Sequence, residues 1–326
     1  MVSLKKKIIN GREYLYAEHS FRVSPDKSVK ISKLIKKPED ANKLKEFFIS
    51  KEKEYCIKLA LSKYKHNSIF TEELIKTVEE IKVEYKYLIK KSTKKQFSDI
   101  LDRFTINFTY ETNAIEGNSL TLKDVTLVLH ENIVPKGKDL REVYETKNTR
   151  KAADLLFAKK FKINEQSIIR LHKILVNDTG VSSGYKKLPN YLLMRNVKTT
   201  PPEKVKSEMD SLIKWYASNK KKLHPLKLAA DFHGRFEKIH PFEDGNGRVG
   251  RALVNIILLE NGYSPLIIRK TERLAYFNAL GAFDNGYSGK LEHFLIKKFK
   301  DTFRKFFKVY FEYLKMTNKV NFRRSK

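Results

Sequence analysis

The chain has a single cysteine, Cys56, and a single tryptophan among its 326 residues. One cysteine can form no disulfide within the chain. Its place in the apolar run Cys56, Ile57, Leu59 and Ala60 suits a small core residue better than a nucleophile. Long apolar stretches are also missing: none approaches the ~20 residues needed to span a bilayer, and no apolar segment follows the basic N-terminus. These absences point away from a membrane and toward a reducing compartment, so the expected location is cytoplasmic. Acidic residues are few: 38 Asp and Glu face 67 Lys and Arg, a formal charge of +29. Such an excess invites a nucleic-acid partner, but the basic residues are spread along the chain rather than gathered in one stripe. Lysine-rich solvated helix faces are the favoured explanation. A nucleic-acid-binding regulator with a secondary nucleotide site is the rival from another class.

What is present is a helical pattern behind a short β region. Asn10-Gly11 separates two strand-like runs, Ile8-Ile9 and Tyr14-Leu15-Tyr16, a hairpin signal, and Val29 to Leu34 reads as a third strand. From Pro38 onward the period turns helical, with apolar positions at Leu44, Phe47, Phe48 and Ile57, then at Leu74, Ile75, Val78 and Ile81. This arm fits a hairpin, a coiled coil or a homodimer face equally well. Phe97, Ile100, Leu101, Phe104, Phe108 and Ile115 form one helical stripe, opened by a Thr93/Gln96 capping box and closed at Gly117. Further helices are expected near 139–158, 164–176, 225–238, 247–260, 272–283 and 290–316, with a hairpin or extended segment between 180 and 200. The expected fold class is mainly α: a helical bundle core with a small β-hairpin flap and an N-terminal β-hairpin and helical region. The expected divisions are 1–92, 93–138, 139–299 and a basic C-terminal helix over 300–326.

The chemistry concentrates between Ile239 and Arg251. A helix ends near Ile239, another begins near Gly247, and His240-Pro-Phe-Glu-Asp244-Gly245-Asn246-Gly247-Arg248-Val-Gly-Arg251 joins them. Glycines let successive backbone N–H groups face one concavity, and the next helix adds its positive end, which makes a phosphate nest. Arg248 and Arg251, three apart on the first turn, can face one ligand as bidentate phosphate forks. Asp244 would repel a bare phosphate, so its presence argues for a bridging Mg²⁺. His240 stands at the entrance as a proton acceptor. Read from residues alone, this is a Mg-nucleotide phosphate site with a histidine base.

This run matches every defining position of the long active-site motif of the Fic family. The resemblance extends from Phe104 to Phe299 and includes His224-Pro225, Ala229-Ala230 and Gly262-Tyr263. It implies a protein adenylyltransferase, which moves AMP from Mg-ATP to the hydroxyl of a Ser, Thr or Tyr in a protein target, this chain itself included. By resemblance His240 is the general base, Asp244 holds Mg²⁺, the Gly245-Asn246-Gly247 backbone forms the anion hole, Arg248 pairs with the β-phosphate and Arg251 with the γ-phosphate. Tyr276 resembles a family tyrosine beside the nucleotide. Met194, Arg195, Asn196 and Val197 stand where the family has a flap that aligns the target by strand addition.

A second motif, Thr112-Asn-Ala-Ile-Glu116-Gly117, is similar to the family's inhibitory pattern, whose glutamate pairs with the second arginine of the long motif. The resemblance therefore implies autoinhibition by Glu116 on Arg251. Relatives that transfer a terminal phosphate have lysine at the second motif glycine; Gly247 speaks against that reaction here. A different nucleotide, or removal of AMP by the same site, is the alternative within the family.

Overall fold

The computed structural model of the chain describes residues 2–24, 27–65, 68–157, 161–192, 197–310 and 312–313. These divide into two compact units, Met1–Glu84 and Tyr85–Lys326.

The first unit opens with a three-stranded antiparallel meander of β1 (Val2–Ile9), β2 (Arg12–Ser24) and β3 (Lys27–Ile35) in the order β1-β2-β3. Asn10 and Gly11 take φ of 50° and 74° and bring Ile9 opposite Arg12. Two successive left-handed residues make the tight turn whose twist matches the flanking strands. Two helices, α1 (Asp40–Lys43) and α2 (Lys45–Lys63), follow. Ala17 of β2, Ile35 of β3 and Phe48 of α2 form a small core, and the buried pair His19 Nε2 and Glu52 Oε2, 3.1 Å apart, ties β2 to α2. Cys56 is half-buried on α2. A third helix, α3 (Glu72–Lys91), contains the division between the units.

The second unit is helical. Its first helix, α4 (Lys94–Ile115), begins at the reciprocal Thr93/Gln96 capping box. It buries Ile100, Phe104, Phe108 and Ile115 along the stripe read from the sequence. Glu116 is its C-cap residue and Gly117 follows at φ 104°, a conformation glycine adopts without strain. Next come α5 (Leu122–Thr126), which runs on as a π-turn, α6 (Leu140–Phe157) and α7 (Glu165–Leu175). A two-residue-per-strand hairpin follows, β4 (Tyr191–Leu192) paired antiparallel with β5 (Val197–Lys198). The remaining helices are α8 (Pro202–Asn219), α9 (Pro225–Ile239), α10 (Asn246–Glu260), α11 (Arg273–Asp284) and α12 (Ser288–Thr302). The helix expected over 290–316 runs as α12, continues through a π-helical stretch at Phe303–Phe307, where Phe303 and Phe307 are buried, and is helical again at 308–310 and 312–313; 314–316 lie outside the described residues.

The second unit is organised around α10, buried on every face from Arg248 to Leu258. A helix of that kind belongs in the middle of a bundle, so any charge on it must be paired. It approaches α9 closely at Gly250, where an added Cβ would lie 2.8 Å from the His233 ring. Gly250→Ala forces the two helices apart and should destabilise the fold by about 1–3 kcal/mol. The check is a thermal melt, in which the variant should unfold several degrees below wild type.

Candidate active site

The turn between α9 and α10 is held by side chains on three sides. His240 caps α9 in a left-handed conformation, φ 51° and ψ 62°, and Gly245 enters α10 at φ 81°. Phe242 is fully buried between them. Its N–H donates to Asn246 Oδ1 and its carbonyl accepts from Asn246 Nδ2, each at 2.9 Å. The Asn246 side chain is therefore spent on the turn, and only its backbone N–H is available to an anion. The His172 ring on α7 stacks on Phe242 at 3.8 Å between centroids.

His172 also fixes the turn by hydrogen bonds. The Gly184 N–H donates to its Nδ1 at 3.2 Å, so Nε2 carries the proton and donates to the Asp244 carbonyl at 3.0 Å. Burial, opposed by the hydrogen bond to the Asp244 carbonyl and aided by the Arg248 charge, holds the imidazole pKa down at about 4. The folded pKa lies below the ordinary value, so the stability it contributes is full above about pH 6.5 and is lost as pH falls toward 4. Denaturant unfolding between pH 7 and pH 4.5 should show that loss, and His172→Gln should flatten the dependence.

The two arginines of α10 are both 3% exposed and find anions on different elements. Arg248 Nη1 lies 3.3 Å from Glu145 of α6, and its Nη2 lies 3.4 Å from Asp244 Oδ1. Arg251 reaches α4: Nε donates to Thr112 Oγ1 at 2.7 Å, and Nη2 donates to the Thr112 carbonyl at 2.9 Å and to Glu116 Oε1 at 2.7 Å. Burial opposes the Arg251 charge, but the Glu116 carboxylate more than restores it and holds the guanidinium above its ordinary pKa. A Cβ built on Gly247 would collide with Glu116 Oε1 and stand 2.8 Å from Arg251 Nη1. The Glu116 carboxylate thus occupies the space that Gly247 leaves open at the first turn of α10, where backbone N–H groups lack intrahelical acceptors.

A cavity of about 250 Å³ joins these groups, with His240, Glu116, Gly247, Arg251, Tyr276 and the β4 residues Tyr191 and Leu192 in its wall. Tyr276 is completely buried, with its hydroxyl 2.7 Å from His233 Nε2 and the Arg251 guanidinium over its ring. Burial, reinforced by Glu237, raises its phenol pKa. Asp244 and Arg248 do not line this cavity; the Asp244 side chain is 40% exposed, with Oδ1 accepting from the Gly245 N–H and Oδ2 contacted by Arg141. Among the expected flap residues, Val197 begins β5, while Met194, Arg195 and Asn196 lie outside the described residues. The base of this hairpin is tied to the turn: Lys186 N–H donates to the Pro241 carbonyl, and Asn190 Nδ2 donates to the Phe242 carbonyl at 3.0 Å. Lys186 itself is buried between Asn190 Oδ1 and Thr199 Oγ1, and desolvation lowers its pKa to about 8.

Residues 162–258, which run from just before α7 almost to the end of α10, match the Fic/DOC family. Over that segment this chain is similar to Fic domains. Curated relatives of the domain include the protein adenylyltransferase Fic of Nematostella vectensis, 30% identical over 182 residues, which cover 54% of this chain and 43% of that protein. The protein adenylyltransferase fic-1 of Caenorhabditis elegans is 29% identical over 53% of this chain and 35% of its own length. The chain therefore spans less than half the length of these relatives. Among solved structures, a Fic-domain-containing signaling protein from Bacteroides thetaiotaomicron is 27% identical with a TM-score of 0.62, covering 70% of this chain and 95% of that one. Fic-1 from C. elegans shares the fold at a TM-score of 0.66 and 22% identity, over 75% of this chain and 73% of that one. Both structural likenesses reach beyond the segment matched by the family, whereas the Glu116 clamp on α4 lies outside that segment.

Arg141, Glu145 and His172 are absent from any reading of the Fic motif, yet each contacts it. Their signal in the sequence is weak: each is an isolated polar residue on a helix, of a type common on solvated faces.

Proposed function

We propose that this chain is a protein adenylyltransferase that moves AMP from Mg-ATP to a Ser, Thr or Tyr hydroxyl and restrains itself through Glu116. The observation that carries this reading is the meeting of His240, Gly247, Arg251 and the Glu116 carboxylate in one cavity. The names of the curated relatives support the reaction class.

The turn supplies positioning and charge rather than covalent chemistry. Backbone N–H groups of Asn246 and Gly247 and the Arg248 fork hold the α- and β-phosphates, while the Gly245 N–H holds Asp244 Oδ1. Arg251 holds the γ-phosphate once Glu116 has left it. The acceptor hydroxyl lies along the hairpin beside Tyr191 and Leu192, and His240 accepts its proton. The acceptor oxygen then bonds to the α-phosphorus, the bond from that phosphorus to the bridging oxygen breaks, and pyrophosphate leaves with the electron pair.

The donor set fits a cation carried in on the nucleotide. One half-exposed carboxylate, Asp244, borders an anion-binding turn, and no group of three or more His, Cys, Asp or Glu converges among the described residues. Asp244 would hold Mg²⁺, which neutralises phosphate charge when bound.

Nucleotide binding is tested by thermal shift with ATP, GTP, CTP and UTP in the presence of MgCl₂. A ligand that binds only the folded chain raises its melting temperature by mass action. ATP is expected to give the largest rise. Equal, negligible shifts with all four would remove the basis for the reading. No described helix is long and apolar enough to cross a membrane.

A further inference from the structure

Arg141 breaks a local rule. It lies on the first turn of α6, where the helix presents its positive end and a cation gains nothing from the dipole. Its own helix therefore does not explain its placement, but its partners do. Nη2 contacts Asp244 Oδ2 at 2.9 Å across 103 residues of chain, and Nε lies 3.4 Å from Glu145 Oε1, one turn along α6. The two oxygens of Asp244 are not equivalent. Oδ1 is committed inward, to the Gly245 N–H at 2.5 Å and Arg248 Nη2 at 3.4 Å. Oδ2 is the oxygen left to face a ligand, and Arg141 covers it.

We propose that Arg141 is a positioning residue that guards the Asp244 carboxylate: it neutralises Asp244 before nucleotide arrives and yields Oδ2 to the incoming divalent cation, withdrawing onto Glu145. Three features make the exchange feasible. The Arg141 side chain is 50% exposed, so it can move without opening the core. Glu145 is already within 3.4 Å and is itself held by Arg248, so the guanidinium has a fixed carboxylate to fall back on. The guard and the cation share a sign, so they compete for one oxygen and cannot occupy it together. The consequence is a threshold: bare divalent cation is excluded from Asp244 by a tethered charge, and cation delivered on phosphates, which bring their own ligands, displaces it.

This proposal rests on the nucleotide reading above, and the experiment separates the two. The melting temperature of the full chain is followed as MgCl₂ is titrated at fixed ATP, with a parallel series in ATP plus EDTA. Wild type is compared with Arg141→Gln, whose unliganded melting temperature serves as the folding control. An exposed ion pair is worth about 0.2–1 kcal/mol, so freeing Asp244 should lower the Mg²⁺ midpoint by about 1.5- to fivefold. In ATP plus EDTA the variant should shift less than wild type, because an uncovered Asp244 repels bare phosphate. An unaltered Mg²⁺ midpoint overturns the proposal and leaves nucleotide binding intact. A loss of the ATP shift at saturating MgCl₂ overturns it in favour of direct phosphate contact by Arg141. A wild-type chain that no nucleotide stabilises overturns the nucleotide reading, and the guard falls with it.

Discussion

Replacing Glu116 with glycine is expected to raise AMP transfer by about ten- to a hundredfold. The estimate follows from a charge-assisted hydrogen bond worth about 1.5–3 kcal/mol that must break before the γ-phosphate can reach Arg251. The geometry makes this a clean substitution. Glu116 has φ −85° and ψ −1°, which any residue adopts, and its carboxylate lies at the negative end of α4, where its own helix gives it no support. Arg251 keeps two other acceptors on Thr112 after the change, so the guanidinium stays in place for phosphate. Glu116→Gln, which retains the shape but not the charge, should fall between wild type and Glu116→Gly. Incorporation of labelled AMP into the chain itself or an added acceptor measures all three. A Glu116→Gly protein no more active than wild type would sink the autoinhibition claim.

Removing the base should have the opposite effect. In the Glu116→Gly background, His240→Ala is expected to lower transfer by about 10²- to 10⁴-fold, the range of a positioned general base. His240 also occupies a left-handed backbone position at φ 51°, where alanine is strained and asparagine is tolerated. His240→Asn therefore separates chemistry from backbone strain: it should be as inactive as His240→Ala while melting closer to wild type. Both variants should keep the thermal shift with Mg-ATP, because phosphate binding lies with the α10 turn and its arginines. If His240→Asn retained most of its transfer rate, the proton would have another acceptor.

The part of this site that is legible in the sequence is the part that is contiguous. Residues 240–251 run through one turn into the start of α10, and the proposed chemistry is read from their side-chain types in order. The partnership of Glu116 with Arg251 spans 135 residues, yet it was legible because each falls in a motif of its own. The strand turn at Asn10-Gly11 and the Thr93/Gln96 cap were legible because local sterics and backbone hydrogen bonding decide them. Arg141 and Glu145 were not, since an arginine and a glutamate four apart on a helix look like an ordinary surface pair. His172 was hidden because one histidine on an amphipathic helix reads as a core or surface residue until Phe242 is seen stacked on it. The division between units fell inside α3 for a similar reason: the helical period runs through residues 84 and 85 with no glycine or proline to mark a break. The π-helical stretch at 303–307 inside the C-terminal helix was not legible, because the apolar period alone does not encode which turn widens to bury Phe303 and Phe307.

The bond that is broken can be read directly. The Glu116→Gly chain is incubated with MgCl₂ and ATP labelled at either the α- or the γ-phosphate, and acid-stable label on protein is counted. Label from the α position and none from the γ position is the expected result, and it should vanish with His240→Asn. Transfer of the γ label, or of neither, would contradict an attack on the α-phosphorus at this turn.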